Sequence, residues 1–487
     1  MSFQSRVSSS ALVAAASFAL VSLLPVAGAR ADEARLRVTP QLEVSQSYDS
    51  DEVSVDDGER SGRIFEAKPR VKVEGGVGNL AFTATAGTRS RSNSVDSDLN
   101  ATDELGDLEL EYAFSPRFTA IARGTYRDRK RVDAFDADRA GLDAGTGIEA
   151  VSGRPDRRDQ AGQLALQYMV DEKSTMQLAF SAVARDYSGD DNLFARDRSF
   201  NLNRAELFYQ RALTPRDAIS LRAGYSTIVF DAPGLSLMTE QKDRLGVVGV
   251  GWTRRINPMW TATLRAGVSL LRTRDDGIAG LSGPSFGNGS VDERRTGFDG
   301  GLELVRETEM SRTELSFTQD TRPSGGMGTS IDSQIFRLQH RQSLTKTLTF
   351  RLNASYQIAE SASDRVSLTN EVPVALDPGL GGIMLLGCVT PDVQGSFRFT
   401  SDRLGAQPAC VGSFSSEVDD RLFFGSATLD WQMYKGLITF LSVDYRDQDR
   451  DGESFLFGRS GGGAFGRDRS STRVQLGIRY AYDIDLF

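Results

Sequence analysis

The stretch Phe114–Tyr126, FSPRFTAIARGTY, decides the fold of this chain. It opens with a Ser-Pro turn, in which proline presets the φ angle that a sharp connection needs. In the strand that follows, Phe118 and Tyr126 fall on one face, and Thr119 and Arg123 fall on the other. One face suits lipid and the other suits water, which is the signature of a strand in a transmembrane β-barrel.

The same pattern recurs, so the chain is predicted to run as a series of hairpins. Further copies begin at Leu213, Ile256, Leu344 and Met433. Together with the alternating segments between them, they predict 18 strands, with 16 as the alternative count. The predicted strands centre on residues 36–44, 65–73, 80–86, 108–114, 118–126, 164–170, 176–184, 205–213, 219–225, 245–256, 260–270, 298–305, 313–317, 336–344, 348–356, 423–433, 437–445 and 474–484.

The predicted connections are alternately short and long, as outer-membrane barrels require. The short set includes residues 75–79, 115–117, 171–174, 214–217, 257–259, 306–310, 345–347 and 434–436. The long set includes residues 49–62, 92–104, 130–158, 188–197, 231–242, 275–293, 323–331, 357–419 and 450–469. The fold class is therefore all-β, a transmembrane antiparallel up-and-down β-barrel with short periplasmic turns and long extracellular loops.

Residues 1–31 are typical of a secretory signal peptide that is cleaved on export. Arg6 supplies the positive charge, residues 11–26 form the apolar region, and Ala29-Arg30-Ala31 is the cleavage motif. Residues 32–487 then form one barrel domain, which we expect in the outer membrane of a Gram-negative bacterium.

Composition and residue types exclude several classes of function. The formal net charge of −9 gives no support to nucleic-acid binding. The single histidine, His340, shares a face with Phe336 and Leu338 and so points towards lipid or the membrane interface. A membrane-embedded hydrolase needs a Ser–His pair, so we expect neither an enzyme nor a cofactor.

Arginines on the water-facing side are the main candidate transport residues. Arg123, Arg222 and Arg265 share the tenth place of three copies, and Arg351 lies one inward step lower in its own strand. Arginine at this depth would attract anionic solutes such as acidic sugars. The alternative is that these arginines form ion pairs within the wall, with partners such as Glu109, Glu111, Glu206 and Glu303.

Two aromatic features fit the barrel. The thirteenth place of four copies is tyrosine, which predicts a girdle at one membrane interface: Tyr126, Tyr225, Tyr356 and Tyr445. The terminal Phe487 resembles the signal that the barrel-assembly machinery reads, although it is one residue out of phase with Ile484 and Leu486. Either the last strand bulges near residues 483–485, or Leu486 takes the final lipid-facing place.

The long loop 357–419 carries both cysteines, Cys388 and Cys410. Export to an oxidising compartment favours a disulfide between them. The apolar stretch 379–387 in the same loop either folds inward as a constriction or stabilises an external cap. No metal site is predicted. Asp447, Asp449 and Asp451 copy the first half of an EF-hand loop, but the twelfth place is glycine instead of glutamate.

The chain resembles the β-barrel porin family 2 of Gram-negative bacteria. The resemblance rests on the opening segment RVTPQLEVSQSYDSDE at 37–52, the Ser/Thr-Pro turns with their LRAG continuations, and the terminal phenylalanine. Members of that family often look like outer-membrane partners of exopolysaccharide or capsule export systems. The resemblance implies no catalytic residues.

These observations lead to a polysaccharide-secretion channel as the expected function. The expected partners are outer-membrane lipid and lipopolysaccharide, the barrel-assembly machinery, periplasmic polysaccharide-export components and an acidic polysaccharide, with no nucleic acid. Two alternatives stay open: a structural or adhesive surface barrel with a closed lumen, and a general diffusion porin for small anions.

Overall fold

The computed structural model describes residues 35–485 apart from thirteen internal gaps, which are residues 56–57, 95–99, 131–155, 189–198, 231–240, 276–290, 325–328, 362–365, 370–387, 392–396, 401–410, 415–418 and 452–468. The strands are β1 (Arg35–Val55), β2 (Gly58–Val77), β3 (Leu80–Asn93), β4 (Ala101–Ser115), β5 (Phe118–Arg129), β6 (Asp156–Asp171), β7 (Ser174–Ser188), β8 (Phe200–Ala212), β9 (Asp217–Phe230), β10 (Gln241–Arg255), β11 (Trp260–Asp275), β12 (Val291–Glu307), β13 (Ser311–Ser324), β14 (Thr329–Ser343), β15 (Leu348–Ser361), β16 (Val366–Thr369), β17 (Cys388–Pro391), β18 (Phe397–Thr400), β19 (Val411–Phe414), β20 (Asp419–Tyr434), β21 (Leu437–Asp451), β22 (Arg469–Ala481) and β23 (Ile484–Asp485). Within these described segments, no helix is long and apolar enough to cross a membrane.

Eighteen strands form one closed antiparallel barrel. Strands β1 to β15 pair in chain order, and β20, β21 and β22 continue the sheet from β15. The sheet closes where residues 41–49 of β1 pair with residues 473–481 of β22. The predicted fold class and the count of 18 are confirmed, and each of the 18 predicted segments overlaps one barrel strand. The segments predicted to end at residues 213, 256 and 344 run one residue past their strands, and the last, 474–484, extends beyond β22 into β23.

The long loop predicted at 357–419 contains short strands of its own. Strand β16 pairs with β19, and β17 pairs with β18, as two separate two-stranded sheets. Several barrel strands also run further than the sequence pattern predicts. Most of the predicted loop 49–62 is strand, since β1 continues to Val55 and β2 begins at Gly58. Backbone pairing continues there although most of the residues are polar or glycine, so the hydrophobic pattern underestimates strand length.

The two faces of the wall differ as the alternation predicts. Large apolar side chains are exposed on the outer face, for example Val248 at 67%, Leu270 at 61% and Leu476 at 59%. Polar side chains such as Ser226 and Ser442 occupy the inner face and are buried. Short turns lie at one end of the barrel and long connections at the other, and we name these the turn end and the loop end.

Side-chain hydrogen bonds explain why the second place of the recurring pattern is Ser, Thr or Asn in four of its five copies. Ser115 Oγ accepts from the backbone N–H of Phe118 at 3.1 Å, and Thr214 Oγ1 accepts from that of Asp217 at 2.9 Å. Asn257 Oδ1 and Thr345 Oγ1 accept the equivalent N–H groups of Trp260 and Leu348 at 2.9 and 3.0 Å. Short polar side chains form such turns readily, so Ser, Thr or Asn is as important there as the proline that often follows.

The fifth copy makes its turn differently. Its second place is Tyr434, and the turn instead uses Gly436 with a φ of 80°. This left-handed conformation favours glycine because it lacks a Cβ atom. A Cβ added to Gly436 would also collide with the backbone oxygen of Ala481.

The last strand keeps its register on β1 without a bulge. Ala481 pairs with Gln41, and Ile484 pairs with Val38 further down the same ladder. The break between β22 and β23 lies opposite Pro40, which has no backbone N–H to donate; the N–H of Tyr482 still reaches the Pro40 oxygen at 3.2 Å. The bulge alternative is therefore wrong as far as Asp485. Phe487, its assembly role and the signal peptide lie outside the described residues.

We expect Gly436→Ala to lower the free energy of unfolding by about 2 kcal/mol, because alanine is strained at this φ and its Cβ has no room. Gly162→Ala is the matched control, since a Cβ at Gly162 meets no atom within 4 Å. Guanidinium unfolding in lipid vesicles, followed by tryptophan fluorescence, measures the stability of both variants. Equal unfolding midpoints for Gly436→Ala and the unsubstituted protein would contradict the requirement for glycine at this turn.

Candidate functional site: the inner wall of the barrel

Ion pairs between neighbouring strands cover much of the inner wall. Arg123 of β5 and Glu109 of β4 are direct cross-strand partners, and their side chains meet at 3.1 Å. Both side chains are about half exposed, so this pair faces the lumen. Opposite charges placed directly across an antiparallel pair stabilise the sheet.

Arg222 lies at the centre of a longer network. Its guanidinium donates to Glu206 Oε1 at 2.8 Å and lies 3.5 Å from Asp299 Oδ1. Arg204 donates to the same Glu206 oxygen at 2.6 Å. The carboxylates thus hold two guanidinium groups against the wall.

Glycine makes the contact between Arg222 and Asp299 possible. The register places Gly249 and then Gly267 between these two residues, one on each intervening strand. Neither glycine has a side chain, so the guanidinium crosses two strands to reach β12. A Cβ at Gly267 would lie 2.5 Å from the backbone oxygen of Val248, so the two strands approach closely only because glycine is there.

The remaining two predicted arginines differ from each other. Arg351 forms an ion pair with Asp430 of β20. Arg265 is exposed, and its cross-strand partners are Gly251 and Gly301. Within the described residues Arg265 has no ion pair. Three of the four predicted lumen arginines therefore follow the ion-pair alternative, and Arg265 does not.

A second network at the closing seam was not predicted. Arg473 pairs with Asp49 at 2.8 Å and Arg479 pairs with Glu43 at 2.7 Å. Lys68 of β2 reaches Glu43 at 3.0 Å. Glu43, Lys68 and Arg479 were on the predicted inner face, whereas Asp49 lay in the predicted loop 49–62 and Arg473 lay just before the last predicted strand. The alternation also gives no information on which strands close the barrel.

Towards the loop end the inner wall includes side chains that solvent does not reach, and we name this part of the wall the dry level. Phe200, Phe230 and Arg157 are each 0% exposed, and Ile228 is 1% exposed. Phe200, Ile228 and Phe230 form one apolar cluster, and the Arg185 guanidinium lies 5.4 Å from the centre of the Phe200 ring. This buried apolar cluster on the predicted water-facing side was not predicted.

A signal for the dry level was present in the sequence. Up to Tyr225 the large apolar residues of β9 are on the outer face, and beyond it Ile228 and Phe230 are large apolar residues on the inner face. A reversal of the apolar face along one strand marks the end of the lipid-facing belt.

The predicted tyrosine girdle and His340 lie on the outer face of the barrel. Of the tyrosine girdle, Tyr225, Tyr356 and Tyr445 are 51%, 37% and 40% exposed on the outer face, and Tyr126 is half-buried. His340 is on the same face as Phe336, and its Nδ1 is 2.8 Å from Thr313 Oγ1.

Two predictions about the loops have different outcomes. Asp447, Asp449 and Asp451 all lie within β21, so they do not form the loop that an EF-hand site requires. Cys388 begins β17, but its side chain and the whole of Cys410 lie outside the described residues. The disulfide stays a prediction, as does the inward constriction at 379–387.

Comparison with known proteins found similar solved structures at low sequence identity. No protein-family model and no curated protein matches the chain. A solved structure of Acinetobacter baumannii OccAB4 is similar, at 9% identity and a TM-score of 0.41, over 92% of this chain and 98% of that one. The Neisseria meningitidis iron transporter FrpB (F5-1 variant) is similar at 9% identity, a TM-score of 0.42 and coverage of 92% and 82%. The Pseudomonas aeruginosa siderophore receptor PirA gives 11% identity, a TM-score of 0.41 and coverage of 92% and 80%. Likeness at this level carries nothing about substrate.

We expect Asp299→Asn and Arg222→Gln to change ion selectivity in opposite directions. The first leaves positive charge on the inner wall and favours anions, and the second leaves negative charge and favours cations. The reversal potential in a planar bilayer under a salt gradient measures the shift. Asp447→Asn, on the outer face of β21, is the control with the same change in charge. Shifts of equal sign for the two inner variants would contradict the network.

Proposed function

We propose that this chain is an outer-membrane channel that exports an exopolysaccharide or capsular polysaccharide. The observation that carries the proposal is a closed barrel of 18 strands with an apolar outer face and an inner face of ion pairs. Barrels of 16 to 18 strands are wide enough to leave an aqueous channel. The apolar outer face supports a location in a lipid bilayer, and short turns with long connections are the arrangement of outer-membrane barrels.

The chemistry of the wall suits a long, hydroxyl-rich polymer. Guanidinium and carboxylate groups held in pairs can each exchange a hydrogen bond with a sugar hydroxyl, while their charges cancel locally. Exposed pairs such as Arg123–Glu109 therefore offer many weak contacts and no single strong one. Conduction needs binding that is weak and distributed over several sites.

The exposed Arg265, which forms no ion pair with a described residue, supports an acidic polymer as the cargo. It is exposed on the inner wall, two strands from Arg222. A carboxylate or other anionic group on a passing chain would find its counter-ion there. The same observation would suit a diffusion porin for small anions, which we keep as an alternative.

The dry level at the loop end favours another alternative, a structural or adhesive barrel with a closed lumen. Phe200 and Phe230 are fully buried on the inner face, so solvent does not reach the wall there. In the export proposal this level is a gate that alternates between a closed and an open state. If the chain is an outer-membrane export channel, its proposed partners are the barrel-assembly machinery and periplasmic polysaccharide-export components.

Planar bilayers distinguish these proposals. For an export channel we expect ion conductance, and block by an acidic polysaccharide such as alginate at concentrations where neutral dextran of equal length has little effect. Phe230→Ala should raise the open fraction, because it removes apolar packing from the dry level. Ile219→Ala, on the outer face of the same strand, is the control.

Absence of conductance in both the unsubstituted protein and Phe230→Ala would reject a channel in favour of the closed barrel. Conductance without block by alginate, but with anion selectivity, would favour the diffusion porin.

A further inference from the structure

The pairing between strands β12 and β13 ends well before either strand does. Their register stops at Gly300–Gln319, although β12 pairs with β11 as far as Val291 and β13 pairs with β14 as far as Ser324. In a membrane-spanning barrel the backbone groups of each strand are satisfied by its neighbours, so a plain wall would continue this ladder. Between Gly300 and the loop end the ladder from β12 to β13 is interrupted.

Side-chain contacts place β13 on the lumen side of β12 beyond this interruption. Thr321 Oγ1 of β13 is 3.3 Å from Ser269 Oγ on the inner face of β11, and both side chains are buried. An unbroken register would set Thr321 opposite Phe298, on the outer face and two strands away from Ser269. Because neighbouring strands are about 4.8 Å apart, a plain wall would keep the two hydroxyl groups roughly 10 Å apart. Residues 320–324 of β13 therefore overlap the inner face of β12, and we name them the overlapping edge.

Gly297 of β12 leaves the space that the overlapping edge occupies. It is the cross-strand partner of Ser269 on the inner face. A Cβ atom built on Gly297 would lie 2.7 Å from Ser269 Oγ and 3.1 Å from Thr321 Oγ1. Glycine within a strand often marks a close approach of another backbone, and here the approaching strand is β13. A larger residue at 297 would push the edge away from β12.

Asp332 of β14 fastens the overlapping edge to the inner wall. Its Oδ1 accepts a hydrogen bond from Thr321 Oγ1 at 2.7 Å, and its Oδ2 is 3.0 Å from Nη2 of Arg295 on β12. Along β14, Asp332 shares the outer face with Phe336, whereas Arg295 is on the inner face of β12. The two side chains can meet because β13 and β14 pass inside β12. They are 25% and 35% exposed, so water screens the ion pair and its hold on the edge is moderate.

We propose that the overlapping edge alternates between its position inside β12 and a position joined to β12, and so sets the width of the lumen at the loop end. The proposal rests on the channel proposed above. In the joined position the register continues, with Phe298 opposite Thr321, and backbone hydrogen bonds replace the Arg295–Asp332 ion pair. Barrel diameter grows with the number of strands side by side in the wall, so overlap narrows the opening and joining widens it. Such an exchange of one set of contacts for another is the basis of a two-state element.

Two cysteine pairs report the two positions separately. Ser269→Cys with Thr321→Cys cross-links the overlapped position, and Phe298→Cys with Thr321→Cys cross-links the joined position. Both pairs are placed in the full-length protein with Cys388→Ser and Cys410→Ser, in lipid vesicles oxidised with diamide. The loss of labelling by a polyethylene glycol maleimide, followed on a gel, measures the rate of disulfide formation. We expect the first pair to close on the order of tenfold faster than the second, because a disulfide forms only between residues already close together.

Asp332→Asn should move the balance towards the joined position, because the amide cannot form the ion pair with Arg295. The Phe298–Thr321 cysteine pair should then close about fivefold faster, as expected for the loss of a partly exposed ion pair. Glu360→Gln is the matched control, since Glu360 is exposed and lies directly opposite Asp332 on β15. Migration of each unheated variant as a compact barrel on a gel confirms that it has folded.

A Phe298–Thr321 pair that closes as fast as the Ser269–Thr321 pair would overturn the overlap. Equal rates with and without Asp332→Asn, or an equal effect of Glu360→Gln, would overturn the two-state exchange.

Bilayer conductance separates this proposal from the proposed function. In the Asp332→Asn background, oxidation of the Ser269–Thr321 cysteine pair should lower the conductance, and a reductant should restore it. Conductance that oxidation leaves unchanged would overturn control of the lumen by the overlapping edge and would leave the channel intact. Cross-links that form as expected in a barrel that never conducts would refute the channel alone.

Discussion

Closure of the sheet between β1 and β22 is the constraint on which the rest of the structure depends. In hydrocarbon there is no water to satisfy an open sheet edge, so a membrane-spanning sheet has to close on itself. The two closing strands are also the furthest apart in the chain, which makes their meeting entropically the most costly. Inner-face contacts reinforce the seam: Arg473 with Asp49, Arg479 with Glu43, and Gln475 with Ser45 at 2.8 Å. Once the seam is formed, every residue has a defined face and height.

Charged side chains form ion pairs under different conditions on the inner and outer faces of the closed wall. On the inner face, neighbouring strands supply acidic partners, and glycines at 249 and 267 let Arg222 reach Asp299 across two strands. On the outer face, ion pairs such as Arg158–Asp128 are possible only above the lipid belt.

Much of the fold was predictable because an alternation of period two fixes the face of each residue. All 18 strands, the turn end and the outward tyrosines follow from it. The alternation does not predict the register, that is, which residues of neighbouring strands lie opposite each other. It predicts that Arg222 and Asp299 face inward but not that they meet. The dry cluster of Phe200, Ile228 and Phe230 was missed for a related reason. Beyond the lipid belt the apolar face reverses, so a rule derived from the belt assigns these residues to the wrong environment.

Spin-label accessibility along β9 tests the central claim most directly. A nitroxide is attached to single cysteines at each position from 217 to 230, in lipid vesicles, in a background with Cys388→Ser and Cys410→Ser. Collision with oxygen should be high at 219, 221, 223 and 225, which face lipid, and collision with a water-soluble nickel complex should be high at 220, 222 and 224. At 228 and 230 both should be low, since these inner-face residues are buried. Absence of the two-residue period, or nickel access at 221 and 223, would contradict the barrel wall described here.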